Sequence, residues 1–325
     1  MPSKPWTRAI AALLAVSAVV ALGACRGSRR RTIAVIPKST THLFWVSVQA
    51  GALAAGKQLD VDVLWNGTAS ETEYDRQIQI VDSMIARHVD AIALAAADRT
   101  ALVKPLDRAM AAGIPVTIFD SGLDSSNYVT FIATNNVAAG EMGGRKLGQL
   151  LGGKGKVGVV LHSTGSRSTM DREEGFDRVM AAEFPGIRIV GRQYGMSDRG
   201  KARAAAENIL TANPDLDGFF ASTEPSSAGI ALALKSRGRA GKIRMVGFDW
   251  SDSMIADMRE GTLDATVVQD PFKIGFEAVR TLVDKLNGHT PPRQIDLSAR
   301  GVTKADLDTP EIRKLMFPDV RQYLK

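Results

Sequence analysis

The chain has 325 residues, of which 45% are hydrophobic and 23% charged, with 41 Lys plus Arg, 35 Asp plus Glu and one cysteine. This composition excludes a disordered, a collagen-like and a disulfide-stapled protein, and it suffices for one large or two medium folded domains. The net charge of +6 and the sequence pI near 9.5 raise nucleic acid or an anionic membrane as partners, so the placement of the basic residues matters.

The beginning of the chain has the organisation of a signal peptide. Lys4 and Arg8 precede an apolar stretch, residues 10–22, which is shorter than the ~20 residues needed to cross a membrane. The stretch runs into LGAC at residues 22–25, which resembles the lipobox of bacterial lipoproteins and predicts a lipid on Cys25. An ordinary signal peptide followed by an unmodified cysteine is the alternative. We therefore expect an exported protein, periplasmic or at the cell surface, anchored in a membrane at Cys25.

The excess of basic charge lies at this end of the chain. Six Lys and Arg residues and no acidic residue precede Thr32, and the remainder contains 35 basic and 35 acidic residues. A nucleic-acid-binding surface needs basic residues on the folded domain itself. We therefore expect a formally neutral folded body after an Arg-rich linker, and no nucleic-acid partner.

After Thr32, short apolar runs alternate with helical periodicities. The expected strands are residues 33–36, 61–65, 91–94, 116–119, 157–161, 218–220, 245–248 and 265–268. A capping-box pattern at residues 70–73 precedes an apolar stripe that starts at Tyr74, and a second stripe runs from Phe272 to Leu286. Continuous apolar strands separated by helices predict doubly wound α/β folding with parallel sheets, and their number favours two lobes.

Polar residues follow several of these strands, where doubly wound sheets bind ligands. The set is rich in carboxylates, amides and hydroxyls, and two aromatic residues, Phe44 and Trp45, follow the first strand. Sugars require such a mixture, because planar polar groups hydrogen-bond to vicinal hydroxyls while an aromatic face packs on the C–H face of the ring. From position alone, Asp120 and Asp249 could equally be helix N-caps, and the aromatic residues could be core.

Five segments occur in the order and spacing of a known family. They are residues 32–51 (TIAVIPKSTTHLFWVSVQAG), 116–120 (VTIFD), 171–176 (DREEGF), 245–249 (MVGFD) and 261–271 (GTLDATVVQDP). Together they resemble the periplasmic ribose-binding protein family, the type I sugar-binding proteins of ABC importers. The resemblance implies the type I periplasmic binding protein fold: two doubly wound lobes joined by a three-strand hinge, with the ligand in the cleft between them.

The resemblance also implies a domain organisation. The expected parts are a lipoprotein signal peptide at residues 1–24, a linker at 25–31, an N-terminal lobe at 32–134 plus 270–293, a C-terminal lobe at 135–269 plus 294–302, and a C-terminal tail at 303–325.

Individual residues take expected roles from the same resemblance. Phe44 and Trp45 match aromatic residues that stack on the sugar. Asp120, Asp249 and Gln269 match polar contacts to the ligand. These five residues define the predicted site.

Other positions depart from the family's pattern. His42 and Thr223 stand in place of asparagines. Ser121 and Met170 stand where arginines are expected, and Ser197 occupies an aromatic position. These departures speak against ribose itself as the ligand.

Two basic residues complete the predicted site. Arg172 matches a different arginine of the family, for which a structural role is the alternative. Lys38 is a candidate cationic donor in place of the lost arginines, although a loop lysine is more often solvated. The predicted ligand-binding residues are thus Lys38, His42, Phe44, Trp45, Asp120, Ser121, Met170, Arg172, Ser197, Thr223, Asp249 and Gln269.

The resemblance implies a monomeric solute-binding protein that captures a small neutral sugar or polyol and delivers it to an ABC permease. A sugar or furanone sensor that feeds a chemoreceptor or kinase is an alternative, and a repressor-type ligand domain is a remote one. The glycine patterns at residues 148–154 and 153–158 precede a strand and do not fit nucleotide-binding loops. We expect no enzyme, cofactor or metal, because His88, His162 and His289 are isolated and are interpreted as surface or loop residues.

Overall fold

Two six-stranded sheets organise residues 29–324, the part of the chain that the computed structural model describes. The predicted signal peptide and the proposed lipid site at Cys25 lie outside the described residues. Within the described part, none of the helices has the length and apolar character needed to span a membrane.

Strands and helices alternate along most of the chain. In chain order they are β1 (Thr32–Ile36), α1 (Leu43–Gln58), β2 (Asp62–Trp65), α2 (Tyr74–Ala86), β3 (Ala91–Leu94), α3 (Val103–Ala111), β4 (Val116–Phe119), β5 (Phe131–Thr134), α4 (Asn136–Leu150), β6 (Lys154–Leu161), α5 (Arg167–Glu183), β7 (Gly186–Tyr194), α6 (Arg199–Ala212), β8 (Gly218–Ala221), α7 (Glu224–Ser236), β9 (Arg244–Phe248), α8 (Asp252–Glu260), β10 (Ala265–Val268), α9 (Pro271–Leu286), β11 (Gln294–Leu297), β12 (Arg300–Thr303) and α10 (Pro310–Met316).

The two sheets have corresponding strand orders. The first sheet runs β11–β5–β4–β3–β1–β2 and is parallel throughout, and the second runs β12–β10–β9–β8–β6–β7 with only β12 antiparallel. Central strands such as β3 and β8 are buried along their whole length, because helices cover both faces of each sheet. All eight expected strands are present, and the expected two-lobed, doubly wound α/β fold is confirmed.

The chain passes between the lobes three times. It leaves the first sheet after β5, since α4 packs with the core of the second sheet, and it returns after β10 because α9 packs with the core of the first. The third passage joins β11 to β12. Three adjacent passages of this kind form a hinge about which two lobes can close.

The structure corrects the expected lobe boundary near the C-terminus. The resemblance predicts residues 294–302 in the C-terminal lobe, whereas β11 pairs in parallel with β5 of the first sheet and only β12 joins the second. Both strands are largely exposed, so they lack the apolar run that would have revealed them. The tail that follows is anchored in the C-terminal lobe by buried Leu307, Ile312 and Met316.

The start of α2 also differs from the expected capping box. Glu73 forms its half of the pattern, since its Oε2 accepts the backbone N–H of Ser70 at 3.3 Å. The Ser70 hydroxyl accepts the N–H of Thr72 instead of that of Glu73, and the helix begins only at Tyr74. The loop before α2 is therefore three residues longer than expected, and it projects Glu71 towards the other lobe.

Candidate functional site

A cavity lies between the lobes beyond the carboxyl ends of strands from both sheets. It is lined by Lys38, His42, Phe44, Trp45, Glu71, Asp120, Ser168, Thr169, Arg172, Thr223, Glu224, Pro225, Asp249 and Gln269. The side chains leave about 30 Å³ of open space, enough for one or two water molecules. A ligand the size of a sugar therefore enters only when the lobes or these side chains move apart.

Asp120 and Asp249 occupy corresponding places in the two lobes. Each directly follows the third strand from the β11 or β12 edge, and each backbone N–H donates at 2.8 Å to the neighbouring strand, to Ile132 O and Val267 O respectively. Both aspartates have a left-handed backbone, with φ of 57° and 59°. Such a conformation is unfavourable for a residue other than glycine and is concentrated at functional sites. The sheets thus hold both carboxylates at the cleft.

Lys38 follows β1 and forms an ionic cluster on the first lobe. Its buried Nζ lies 3.3 Å from Asp120 Oδ2 and 3.2 Å from Glu71 Oε2, and 5.7 Å from the centre of the Trp45 ring. Burial lowers the pKa of Lys38, but the carboxylates of Asp120 and Glu71 outweigh this effect and raise the pKa above its usual value. The ammonium group is therefore charged.

Glu71 joins this cluster to the second lobe. Trp45 Nε1 donates to Glu71 Oε1 at 2.9 Å, and His162 Nε2 lies 3.2 Å from Glu71 Oε2. Burial opposes ionisation of Glu71, yet the ammonium of Lys38 holds its pKa well below the usual value. Lys38 Nζ also reaches across the cleft to the hydroxyls of Ser166 and Ser168, at 3.4 Å each.

His162 is not the surface or loop residue expected from the sequence. Its side chain is 1% exposed, and burial lowers its pKa, so the neutral form is favoured near pH 7. Within residues 29–324 neither ring nitrogen makes a well-directed hydrogen bond, and the contact with Glu71 is one of proximity. His162 thus lies buried in contact with Glu71 of the opposite lobe.

Arg172 organises the second-lobe wall. Its guanidinium donates to Asn136 Oδ1 at 2.9 Å and to Ser222 O at 3.0 Å, and it lies 4.2 Å from the centre of the Phe248 ring. Its Nη1 is 3.8 Å from Asp249 Oδ2. Arg172 thus combines the two roles considered for it, since it lines the cavity and ties together three segments of the second lobe.

Gln269 connects Asp249 to the hinge. Gln269 Nε2 donates to Asp249 Oδ1 at 2.8 Å, while Thr134 Oγ1 of the first hinge passage donates to Gln269 Oε1 at 2.7 Å. Burial raises the pKa of Asp249 to about 6, against the opposing effects of Arg172 and of the hydrogen bond from Gln269. This carboxyl group is therefore much easier to protonate than an exposed aspartate.

Nine of the twelve predicted residues line the cavity, and Ser121, Met170 and Ser197 do not. Ser121 is buried, and its hydroxyl accepts the backbone N–H of Ser168 at 3.3 Å. Ser197 lies at the rim of the cleft, where its hydroxyl is 3.4 Å from His42 Nε2. Met170 is half-buried on α5 away from the cavity. Whether the nine lining residues bind ligand remains a prediction.

Five residues that line the cavity are not among the residues predicted from the sequence. They are Glu71, Ser168, Thr169, Glu224 and Pro225. Glu71 belongs to the predicted capping box, and the others lie at the beginnings of α5 and α7. Ser168, Thr169 and Glu224 fall within the polar segments that follow predicted strands, but nothing in the sequence distinguishes them from their neighbours there. Thr223 is the N-cap of α7, and its side chain accepts the backbone N–H of Ser226 while it also lines the cavity.

A larger cavity of about 750 Å³ lies beside the hinge, under the C-terminal tail, and includes Phe272, Arg300, Phe317 and Tyr323. We assign the functional site to the smaller cavity, because the residues that follow the inner strands β1 and β4 of one sheet and β8 and β9 of the other converge there. Among residues 29–324, no group of three His, Cys, Asp or Glu side chains is arranged to hold a metal ion.

Two lobes, a three-passage hinge and a polar cleft with aromatic residues define a binding protein that closes around a small ligand. Residues 33–290 match the periplasmic binding protein domain, and the chain belongs to this family. Its relatives include the D-ribose/D-allose-binding protein of Pseudomonas aeruginosa, 30% identical over 81% of this chain and 85% of that protein. The ribose import binding protein of Escherichia coli is 25% identical over 91% of this chain and 98% of that protein.

Solved structures of sugar-binding proteins share the fold. A carbohydrate transporter solute-binding protein from Agrobacterium radiobacter, in complex with D-arabinose, is 30% identical with a TM-score of 0.86, covering 89% of this chain and all of that one. An ABC transporter solute-binding protein from Agrobacterium vitis with bound D-fucose is 37% identical with a TM-score of 0.85, covering 88% of this chain and all of that one.

Proposed function

We propose that the protein captures a small neutral sugar or polyol in the interlobe cleft and delivers it, chemically unchanged, to an ABC import permease. The observation that carries this proposal is the meeting of Asp120 and Asp249, one from each lobe, at a cavity that also presents Phe44 and Gln269. Carboxylates and an amide accept and donate hydrogen bonds to hydroxyls, and the aromatic ring packs on apolar C–H groups. Relatives named for ribose and allose, and structures with D-arabinose and D-fucose, support a sugar ligand.

The charge balance of the cleft favours a neutral ligand over a sugar acid or sugar phosphate. Lys38 is already paired with two carboxylates, and Arg172 faces Asp249 and two further acceptors. Four acidic side chains and two basic ones, apart from His42, line the cavity. An anionic ligand would meet no uncompensated positive charge there, and desolvating it would cost free energy.

Binding operates by cleft closure. Each lobe supplies half of the hydrogen-bonding groups, so a sugar bound to one lobe gains the second set of contacts only when the lobes close. The sugar therefore shifts the hinge equilibrium by its differential affinity for the closed arrangement. The closed shape is what a permease would recognise.

We further propose that the protein is exported and works as a monomer held to a membrane by lipid at Cys25. The lipobox-like LGAC sequence and the periplasmic nature of the family support this location. Labelling of cells with a radioactive fatty acid would mark the wild-type protein, and Cys25→Ser should abolish the label. A labelled Cys25→Ser variant would contradict the anchor.

A thermal-shift screen tests the binding function. A ligand present at 100 times its dissociation constant stabilises a protein by about 2.7 kcal/mol, which is readily measured. We expect stabilisation by at least one sugar among D-ribose, D-allose, D-arabinose and D-fucose, and recovery of that sugar unaltered. Asp249→Ala should abolish the stabilisation while the apo protein stays folded. Unchanged sugar affinity in this variant would contradict the assignment of the site.

A further inference from the structure

Both carboxylate oxygens of Glu71 contact other side chains, although Glu71 lies in none of the segments that resemble the sugar-binding family. It sits in the loop between β2 and α2, with Oε1 accepting the indole N–H of Trp45 at 2.9 Å. Its Oε2 faces Lys38 Nζ and His162 Nε2, at 3.2 Å from each. Glu71 therefore has both oxygens committed to protein groups, and its effect on a ligand has to pass through one of them.

Lys38 is the group through which Glu71 acts. The ammonium is placed between two carboxylates, with Glu71 Oε2 at 3.2 Å and Asp120 Oδ2 at 3.3 Å. Asp120 Oδ2 is buried, and within residues 29–324 it accepts no well-directed hydrogen bond. With Glu71 in place, Lys38 does not collapse fully onto Asp120, and this oxygen keeps its capacity to accept.

Lys38 and Asp120 together form a donor–acceptor pair on the wall of the cavity. An ammonium donates only, and an ionised carboxylate accepts only. Two such atoms 3.3 Å apart can serve two adjacent hydroxyl groups, one accepting from Lys38 in place of Ser166 or Ser168 and the other donating to Asp120. A ligand that lacks the hydroxyl facing Asp120 would leave Asp120 Oδ2 buried without a hydrogen-bond donor, which is a strong basis for discrimination between sugars.

We propose that Glu71, held by the indole N–H of Trp45, is a positioning residue that fixes Lys38 beside Asp120 and so selects sugars with two adjacent hydroxyl groups at this wall. The inference rests on the proposed sugar-binding function. Trp45 thereby acts through its N–H as well as its ring, a role that phenylalanine could not fill because its side chain has no donor.

The second lobe completes this arrangement on closure. His162 meets Glu71, and the hydroxyls of Ser166 and Ser168 meet Lys38 Nζ, all from across the cleft. Lys38 therefore reaches its final position only when the lobes are together. Selection between sugars accordingly takes place in the closed arrangement rather than at first contact with the open cleft.

Calorimetric titration of Glu71→Gln tests the proposal, because glutamine has the same shape without the charge. The probe is whichever of D-ribose, D-allose, D-arabinose and D-fucose binds the wild type most tightly, together with its monodeoxy derivatives. We expect Glu71→Gln to bind the parent sugar about tenfold or more weakly. The ratio of its affinities for the parent sugar and for the monodeoxy derivative that lacks the hydroxyl at this wall should fall towards one.

Two further variants separate positioning from packing. Trp45→Phe keeps an aromatic ring but removes the N–H donor, so its loss of affinity should be non-additive with that of Glu71→Gln. Asp75→Asn is the matched control, since it removes an exposed acidic charge on α2 four residues away and should leave affinity and preference unchanged. Additive losses would show that Trp45 and Glu71 act independently and would overturn their link.

The outcomes distinguish this inference from the function on which it rests. Wild-type affinity and preference in a folded Glu71→Gln variant would overturn the inference and leave the function intact. If the wild type binds none of the sugars, the proposed function fails, and hydrogen exchange of the Trp45 indole N–H still tests the placement of Glu71. Exchange that is equally fast in the wild type and in Glu71→Ala would then overturn the positioning role as well.

Discussion

The two lobes place an aspartate at corresponding positions, in the same backbone conformation, and surround it differently. Asp120 of the first lobe shares the charge of Lys38 with Glu71, whose pKa lies well below its usual value despite burial. In the second lobe, burial raises the pKa of Asp249 to about 6, and it raises to about 7 the pKa of Glu173, which bonds to Ser222 and does not line the cavity. The same backbone conformation therefore presents an aspartate beside a charged lysine in the first lobe, and an aspartate that is easier to protonate in the second.

The difference follows from how each lobe uses its basic residue. Lys38 has two carboxylates as its main partners, and its ammonium holds the pKa of Glu71 well below the usual value. Arg172 directs its guanidinium to Asn136 Oδ1 and Ser222 O and approaches Asp249 only to 3.8 Å. A planar group with several donors is well suited to holding segments together, whereas an ammonium is a compact charge.

The largest expected effect is on sugar affinity, and it differs between substitutions of the two aspartates. Asp120→Asn leaves Lys38 with one carboxylate and replaces a carboxylate oxygen by an NH2 donor, so one acceptor remains for Lys38 and the ligand together and sugar affinity should fall ~30-fold or more. Asp249→Asn should cost only about tenfold, because Arg172 keeps two other acceptors and an asparagine side chain can still bond with Gln269. Calorimetric titration of both variants measures the difference, and a greater loss in Asp249→Asn would reverse the proposed division between the lobes.

A second prediction concerns pH and Glu173, which accepts hydrogen bonds from Ser222 Oγ and from the backbone N–H of His162. Burial raises its pKa to about 7, so between about pH 4.5 and 7 the carboxyl group is protonated in most folded molecules and ionised in most unfolded ones. The contribution of Glu173 to stability is therefore greatest below pH 4.5 and is lost as the pH rises through 7. Glu173→Gln should stabilise the protein at pH 8 by at most about 3 kcal/mol and leave it unchanged at pH 4.

Chemical denaturation of Glu173→Gln at the two pH values provides the measurement. Glu174→Gln is the control, since Glu174 is an exposed neighbour paired with Arg178 on the surface of α5, where an ion pair contributes little. Equal stabilisation of Glu173→Gln at pH 4 and pH 8 would show that the carboxyl group does not titrate as expected.

The smallest expected effect concerns the tail that reaches from the second lobe to the first. Ile312 and Met316 anchor it in the second lobe, while the Tyr323 ring packs on Phe272 of the first at 5.9 Å between ring centres. Tyr323→Ala should lower the free energy of unfolding by about 1 kcal/mol, and Tyr323→Phe should have no effect because the ring remains. Denaturation curves test both, and a loss in Tyr323→Phe as large as that in Tyr323→Ala would contradict ring packing as the source.

The sequence predicts the features that depend on the local pattern of residues. Asp120 and Asp249 are candidates because each directly follows an apolar strand, and the resemblance to the sugar-binding family favours a ligand role over a helix cap; the two-lobed fold follows from the alternation of such strands with helices. Glu71 and His162 were missed because their roles depend on each other across the cleft, and neither local pattern contains that contact. The lobe predicted for strand β11 is wrong, because its short, largely exposed sequence carries no signal for the strand it pairs with.

A crystal structure of the protein with its tightest-binding sugar tests the central claim most directly. The account predicts the sugar between the lobes, with hydroxyls hydrogen-bonded to Asp120 and Lys38 on one side and to Asp249 and Gln269 on the other. A sugar found in the larger cavity beside the hinge, or one that contacts neither aspartate, would contradict it.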